Sequence, residues 1–319
     1  MLKGYLGRAD LYVLTVVLIW GSVFSVVKFT LVEIDPLALV TVRFVATAVL
    51  LLAVVWRLEG RPVIKRRDWR AVAVVGIVGV GLYQVFFTVG IDLTTASNSS
   101  LIIASAPIWV AVLAAGMGYE TIRLRQALGI ALSFLGVLVV IRAGSGEFSL
   151  SSESLRGDLL SLGAALTTAL GVVVAKEPLK RHSALRVMAV GIVLATGIVL
   201  LPIGIAPTLQ QDWASVSPAS WLGLGYTVIF SSVIAYVLFY AGVAHLGPVR
   251  TAVYGNLIPV VAVSTAAVTL GERLTTGHLF GASVILLGIT LARWPTSQRT
   301  SAPRRQPETA PLEDPTRTQ

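Results

Sequence analysis

Not one cysteine occurs in the chain, which excludes disulfides, thiolate chemistry and cysteine-ligated zinc and leaves the compartment open. Charge is scarce: Asp, Glu, Lys and Arg make up 13% of the 319 residues, against 55% hydrophobic ones, far from the mix of an ordinary water-soluble domain. Histidine is scarcer still. His182, His245 and His278 are dispersed and match no metal-ligand spacing, so no metal or cofactor is expected. There is no HExxH helix and no pair of acids at depth, and the serines lack a histidine or lysine placed to activate them; the chain does not read as an enzyme. Sustained apolar/polar alternation is missing too, which argues against a membrane β-barrel.

What is there is a series of apolar blocks of the length that crosses a hydrocarbon core of about 30 Å at about 1.5 Å per helical residue. The expected spans are 11 to 32, 36 to 56, 71 to 91, 94 to 119, 126 to 142, 155 to 175, 184 to 204, 217 to 241, 250 to 270 and 275 to 294. The first resembles a secretory signal superficially, with Lys3 and Arg8 ahead of it, but its length and the absence of a small-residue cleavage site make it a retained helix. From Pro295 the composition turns to Pro, Thr, Arg and Glu, which cannot bury a core; residues 295 to 319 are expected to be a disordered tail.

The net charge of +9 does not mark a nucleic-acid binder, because the basic residues fall in the gaps between blocks. They mark topology. With the N-terminus inside, ten spans place Lys3 and Arg8, the 57–70 cluster, Arg123 and Arg125, Lys176 to Arg186, Arg250 and the tail arginines on the cytoplasmic side. Arg142, Arg156 and Arg273 remain outside. The bias predicts a multi-pass protein of the inner (plasma) membrane with both termini cytoplasmic and lipid as its main solvent.

Shifting the chain by 152 residues superposes Phe87 on Phe239, Gly90 on Gly242, Pro107 on Pro259, Glu120 on Glu272, Gly129 on Gly281 and Gly136 on Gly288. The shift carries spans three to five onto spans eight to ten, so each repeat has five spans. An odd number turns the second copy upside down in the membrane. The expected fold is therefore all-α and integral to the membrane: ten transmembrane helices in two inverted five-helix repeats, residues 1–145 and 155–294. Inverted repeats enclosing a site near the midplane are a recurring plan of secondary transporters. The first two spans of each half align poorly at this offset.

The residues resemble the drug/metabolite transporter superfamily, specifically its EamA-type members. The resemblance rests on WGSVFSVVK from Trp20, DPLALVTVRF from Asp35, TTASNSSLIIASAP ending at Pro107, RGDLLSLGAAL from Arg156, LGPVRTAVYGNLIP ending at Pro259 and LGERLTTGHLFGASVILLG ending at Gly288. It implies ten helices in two inverted repeats and export of amino acids or other small metabolites, without naming the substrate.

Pro107 and Pro259 fall near the middle of spans four and nine, where each removes a helix hydrogen bond. Such breaks belong against protein or a wet cavity. Either they are packing kinks, or the loosened turns with Ser105, Trp109, Tyr254 and Asn256 help to form a substrate cavity. Ser232, Tyr236 and Tyr240 recur every four residues on span eight and make a polar stripe. Tyr236 and Tyr240 correspond to Gln84 and Thr88 under the 152-residue shift, which suits a cavity between the halves; interhelical glue is the other reading. Trp20, Phe24 and Lys28 share a face of span one. Lys28, roughly 6 Å inside the outer end, either snorkels to the surface or lines the pathway and attracts a carboxylate. Arg43 lies deeper, roughly 10 Å in, and is expected to pair with Glu33 or Asp35 unless it too lines the pathway.

No Asp or Glu stands near the midplane of a span. Glu120, Asp158 and Glu272 lie at helix ends, where capping or pairing with a basic neighbour is expected, and this points to a facilitator or exchanger over an obligatory proton antiporter. Efflux of drugs or other organic solutes is the alternative within transport; a non-transporting receptor or scaffold is the alternative outside it. Small residues such as Gly76, Gly79 and Gly116 allow close helix approach and serve internal packing as readily as dimerisation, so monomer and homodimer both stay open.

Overall fold

The computed structural model describes residues 7–119, 124–125, 127–129, 131–132, 135–136, 139, 153–247, 251, 254–271 and 275–293. Most of the fifth expected span, the boundary near residue 145, Glu120, Glu272 and the 295–319 tail lie outside the described residues. Among the described residues there is helix and no strand. Seven helices among the described residues are long and apolar enough to cross a membrane: α1 (Ala9–Thr30), α2 (Pro36–Glu59), α3 (Arg66–Leu93), α4 (Ala96–Gly116), α5 (Glu153–Lys180), α6 (Ala184–Gln210) and α7 (Pro218–Leu246). Two shorter apolar helices follow, α8 (Ile258–Thr269) and α9 (Thr276–Gly288). The chain is a multi-pass membrane protein, and large apolar side chains such as Leu18, Val49, Leu209, Leu222 and Val268 stand exposed on its outer faces because lipid, not water, meets them.

Local chemistry sets the helix boundaries. Asp35 caps α2, its Oδ1 accepting from the N–H groups of Leu37 (2.8 Å) and Ala38 (3.0 Å) with Pro36 in the first turn. Ser183 caps α6 and Ser217 caps α7 in the same way. Three helices contain π-helical stretches: Ile77–Leu82 in α3, Ala195–Leu200 in α6 and Thr227–Ile234 in α7. In α4 the helix breaks at Ala104 and Ser105 and restarts with Pro107 in its first turn. Pro259 likewise stands in the first turn of α8, after a 3-10 turn at Gly255–Leu257, a position where the missing N–H costs nothing.

α3 lies along α5, α2 along α6, and α1 between α7 and α8. Gly79 of α3 meets Gly171 of α5 so closely that a Cβ on Gly79 would sit 2.6 Å from the Gly171 Cα. The glycines at this crossing therefore serve internal packing, whereas Gly116 faces open space.

The two ends of the bundle differ. At the end carrying the 57–70 and 176–186 basic clusters, buried Asp68 holds the guanidinium of Arg181 (Nε at 3.0 Å) and His182 Nε2 (3.0 Å), and Glu59 pairs with Arg186 at 3.2 Å. At the opposite end Glu33 Oε2 accepts from the Ser217 N–H at 2.8 Å, which holds its carboxyl below the usual range. Gln211 bridges the Asp35 N–H and the Glu33 carbonyl beside it.

Candidate functional site

Between these ends α1, α2, α3, α4, α5 and α7 surround a chamber with about 790 Å³ of non-atom space, its open mouth included. Its wall is mostly apolar and aromatic: Trp20, Phe24, Tyr83, Phe87, Ile103, Pro107, Val172, Tyr236 and Phe239, with Arg43, Gln84, Ser100, Thr168 and Ser231 as polar points. The broken turn of α4 and the 3-10 turn before α8 both reach this wall, through Ile103, Ala104 and Gly255. Irregular backbone at membrane depth is tolerable where it lines such a space.

The aromatic residues interlock. Trp20 meets Tyr236 edge-on at 5.4 Å and Phe239 at 5.0 Å, while Phe87 contacts Phe24 (5.3 Å) and Tyr83 (5.9 Å). Trp20 Nε1 donates to the Ser231 carbonyl at 3.1 Å, inside the π stretch of α7. Gln84 Nε2 donates to the Tyr236 hydroxyl at 2.8 Å. The other end of the amide, Oε1, is buried with no hydrogen-bond partner among the described residues.

Arg43 is 2% exposed. Its Nε donates to Ser232 Oγ and its Nη2 to Ser231 Oγ, both at 2.8 Å, and the guanidinium lies 5.2 Å from the Phe44 ring centroid. A charge at such depth costs about 2.5–3.5 kcal/mol or more, and two hydrogen bonds from a cation return about 1.5–3 kcal/mol each. Hydroxyl oxygens thus make the buried cation bearable without neutralising it. No carboxylate among the described residues pairs with it. The expected pairing with Glu33 or Asp35 is not made: Asp35 is spent on the α2 cap and Glu33 on Ser217.

Of the residues singled out in the sequence, the structure gathers Trp20, Gln84, Tyr236 and Pro107 on the wall, with Ser232 behind it on Arg43. Others lie elsewhere. Lys28 Nζ donates to the carbonyls of Ile91 and Asp92 at 2.8 Å each, at the C-terminus of α3, a favourable place for a cation. Ser105 accepts from Trp109 Nε1 at 3.2 Å, and neither lines the chamber. Tyr240 is packed against Phe239 in the core. Tyr254 donates to Asp10 Oδ1 at 2.5 Å. The Asn256 side chain lies outside the described residues. Sequence reasoning passed over Tyr83, Phe87, Ser100, Thr168 and Ser231 as wall residues; Tyr83 and Ser231 were signalled by Gln84 and Ser232 beside them.

A family model described as the EamA-like transporter family matches residues 7–142 and again 155–294. The chain belongs to the EamA-like transporter family. This EamA-like chain is 28% identical over 284 residues to an uncharacterized transporter of Archaeoglobus fulgidus, covering 89% of the chain and 96% of that relative. It is 28% identical over 291 residues to a probable amino-acid metabolite efflux pump of Salmonella typhimurium and 27% identical over 292 residues to a probable amino-acid metabolite efflux pump of Escherichia coli, each covering 86% of the chain and 91% of the relative. A solved crystal structure shares the fold, with a TM-score of 0.63, 21% identity and coverage of 89% of this chain and 96% of that one.

Proposed function

We propose that this EamA-like transporter exports amino acids or related small metabolites across the plasma membrane by alternating access, its substrate seated in the central chamber. The observation that carries the substrate class is Arg43, a buried cation on the chamber wall paired to hydroxyls and to no carboxylate among the described residues. A substrate carboxylate supplies the missing anion, the unpartnered end of Gln84 and the aromatic faces take the ammonium group, and the apolar wall takes the side chain. The names of the Salmonella and Escherichia relatives agree with this reading. Efflux of other organic solutes is the second reading, favoured by the apolar wall, although a buried arginine counts against cationic drugs.

Ten spans in two inverted halves, 1–145 and 155–294, belong to the proposal, and the contacts at the two ends support it by parity. Asp68 meets Arg181 at one end and Asn98 meets Asp158 at the other. Each pair needs an even number of crossings between its members, and the described helices alone supply an odd number, which supports counting the fifth span. The 152-residue offset finds support in two side-chain contacts between equivalent positions, Gln84 with Tyr236 and Thr196 Oγ1 with the Phe44 carbonyl. Residues near a twofold axis touch their own counterparts. The 77–82 π stretch also falls, after the shift, within that of α7. The basic clusters sharing one end support cytoplasmic termini.

Reconstitution into liposomes with labelled amino acids tests the function. Saturable flux that Arg43→Ala weakens is the expected result; equal handling of carboxylated and decarboxylated probes contradicts the carboxylate reading.

A further inference from the structure

A second buried ionisable group has no oppositely charged partner among the described residues. Asp158 of α5 is fully buried and accepts from Thr94 Oγ1 at 2.8 Å and from Asn98 Nδ2 at 3.3 and 3.4 Å. Both donors are neutral. Asn98 passes the contact on, its Oδ1 lying 2.8 Å from His278 Nε2 of α9, whose Nδ1 is 2.8 Å from Thr275 Oγ1. One turn further along α5, Ser161 donates to Ser99 Oγ at 2.9 Å, and the next residue, Ser100, lines the chamber. Asp158 and the chamber wall are thus only a few residues apart on both α4 and α5, through Asn98, Ser99 and Ser100 on the one and Ser161 on the other.

Among the described residues, the charged and titratable groups of the adjoining segments are Asp92 from α3, Lys28 from α1, His278 from α9, and Glu153 and Arg156 on α5 itself. Lys28 is engaged with the carbonyls of Ile91 and Asp92, and none of these groups forms an ion pair with Asp158 among the described residues. The expectation that Asp158 caps a helix or pairs with a basic neighbour is thus corrected: it bonds two neutral side chains of the α3–α4 corner. Neutralising a fully buried acid takes a cation or a proton, and the described surroundings hold no cation on it.

We propose that Asp158, bridged through Asn98 to His278, is the proton-carrying site that couples solute export to inward movement of a proton. The inference rests on the transport reading above and departs from the facilitator or exchanger expected from the sequence. The proton binds a carboxylate oxygen and turns it from acceptor into donor. Asn98 meets that donor by turning its amide, which withdraws Oδ1 from His278, so α4, α5 and α9 all register the event. The proton leaves when the site opens to the opposite face, and no other co-reactant is needed.

The test uses the full chain in liposomes with labelled L-phenylalanine, a probe with one carboxylate and an apolar side chain. Wild type accumulates the probe against its gradient when a proton gradient is imposed. Asp158→Asn loses that accumulation to the level reached without a gradient, yet still exchanges labelled for unlabelled probe, and Asp158→Glu restores part of the coupling. Accumulation that survives in Asp158→Asn, or a wild type that exchanges the probe but ignores the proton gradient, overturns the coupling and leaves the transport reading standing. A probe-independent measurement accompanies it: infrared titration of the wild type shows a protonated-carboxyl band that Asp158→Asn removes. Identical titrations in the two proteins overturn the proposal whatever the probe does.

Discussion

Asp10 and Asp158 stand in the same phrase, Arg-Ala-Asp-Leu at 8–11 and Arg-Gly-Asp-Leu at 156–159, each in the early turns of a long helix, yet they sit at opposite ends of the bundle in different chemistry. At the basic end Asp10 takes the Gly7 N–H at 2.8 Å and the Tyr254 hydroxyl, and the same end is held by ion pairs, Asp68 with Arg181 and Glu59 with Arg186, with His182 hydrogen-bonded to Asp68. At the other end Asp158, Lys28 and Glu33 meet hydroxyls, amides, carbonyls and a backbone N–H. Ion pairs fix a surface that is costly to open. Asp158 differs in being fully buried on neutral donors with no ion pair among the described residues, and burial disfavours its charged form.

The comparison breaks most readily at Asp68. Asp68→Ala leaves Arg181 and buried His182 without their acceptor and lowers stability by about 1–3 kcal/mol, whereas Asp158→Asn keeps both of its hydrogen bonds and costs less than about 1 kcal/mol. Thermal melts of the detergent-solubilised variants check this, and equal losses would erase the distinction between the ends. Between the ends, Arg43→Ala removes a cation interaction of about 1.5–3 kcal/mol, an expected loss of about tenfold to a hundredfold in apparent affinity for a carboxylated probe. Lys28→Ala, measured in the same uptake assay, keeps the substrate profile and shifts the melt by about 0.3–1 kcal/mol, the worth of a cation at a helix C-terminus.

The sequence made the spans legible because hydropathy over twenty residues is a strong signal, and it made the 152-residue correspondence legible because Pro107, Gly136 and their partners are hard to match by chance. Under the proposed repeat, a match between the first helices was missed. Arg-X-Asp-Leu repeats at an offset of 148, four fewer than the rest, and one ungapped shift passes over it. Of the two readings of Arg43, lining the chamber agrees with its place on the wall, whereas pairing failed because Glu33 and Asp35 are near in sequence while the hydroxyls that hold it come from α7, close in space alone. The stripe Ser232, Tyr236 and Tyr240 assumed 3.6 residues per turn, but residues 227–234 are wound as π-helix, which rotates Ser232 away from the face of the others. Lys28 shares a face with Trp20, yet its long side chain reaches the end of α3.

The smallest expected effect lies at Glu33. Its carboxyl is held below the usual range by the Ser217 N–H, so its contribution is present above the unfolded-state value and is lost as pH falls through the lower folded-state value. Wild type and Glu33→Gln therefore differ slightly in melting temperature at neutral pH and converge on acidification; a gap that widens with acid contradicts the assignment.

The natural absence of cysteine makes the central claim, a chamber that opens alternately to the two faces, directly measurable. Ile103 lies on the chamber wall, and Ile103→Cys supplies a single thiol in a silent background. A membrane-impermeant maleimide applied to either side of oriented vesicles is predicted to label it from both, with a substrate amino acid changing the two rates in opposite directions. Labelling from one face alone under every condition, or from neither, contradicts the account.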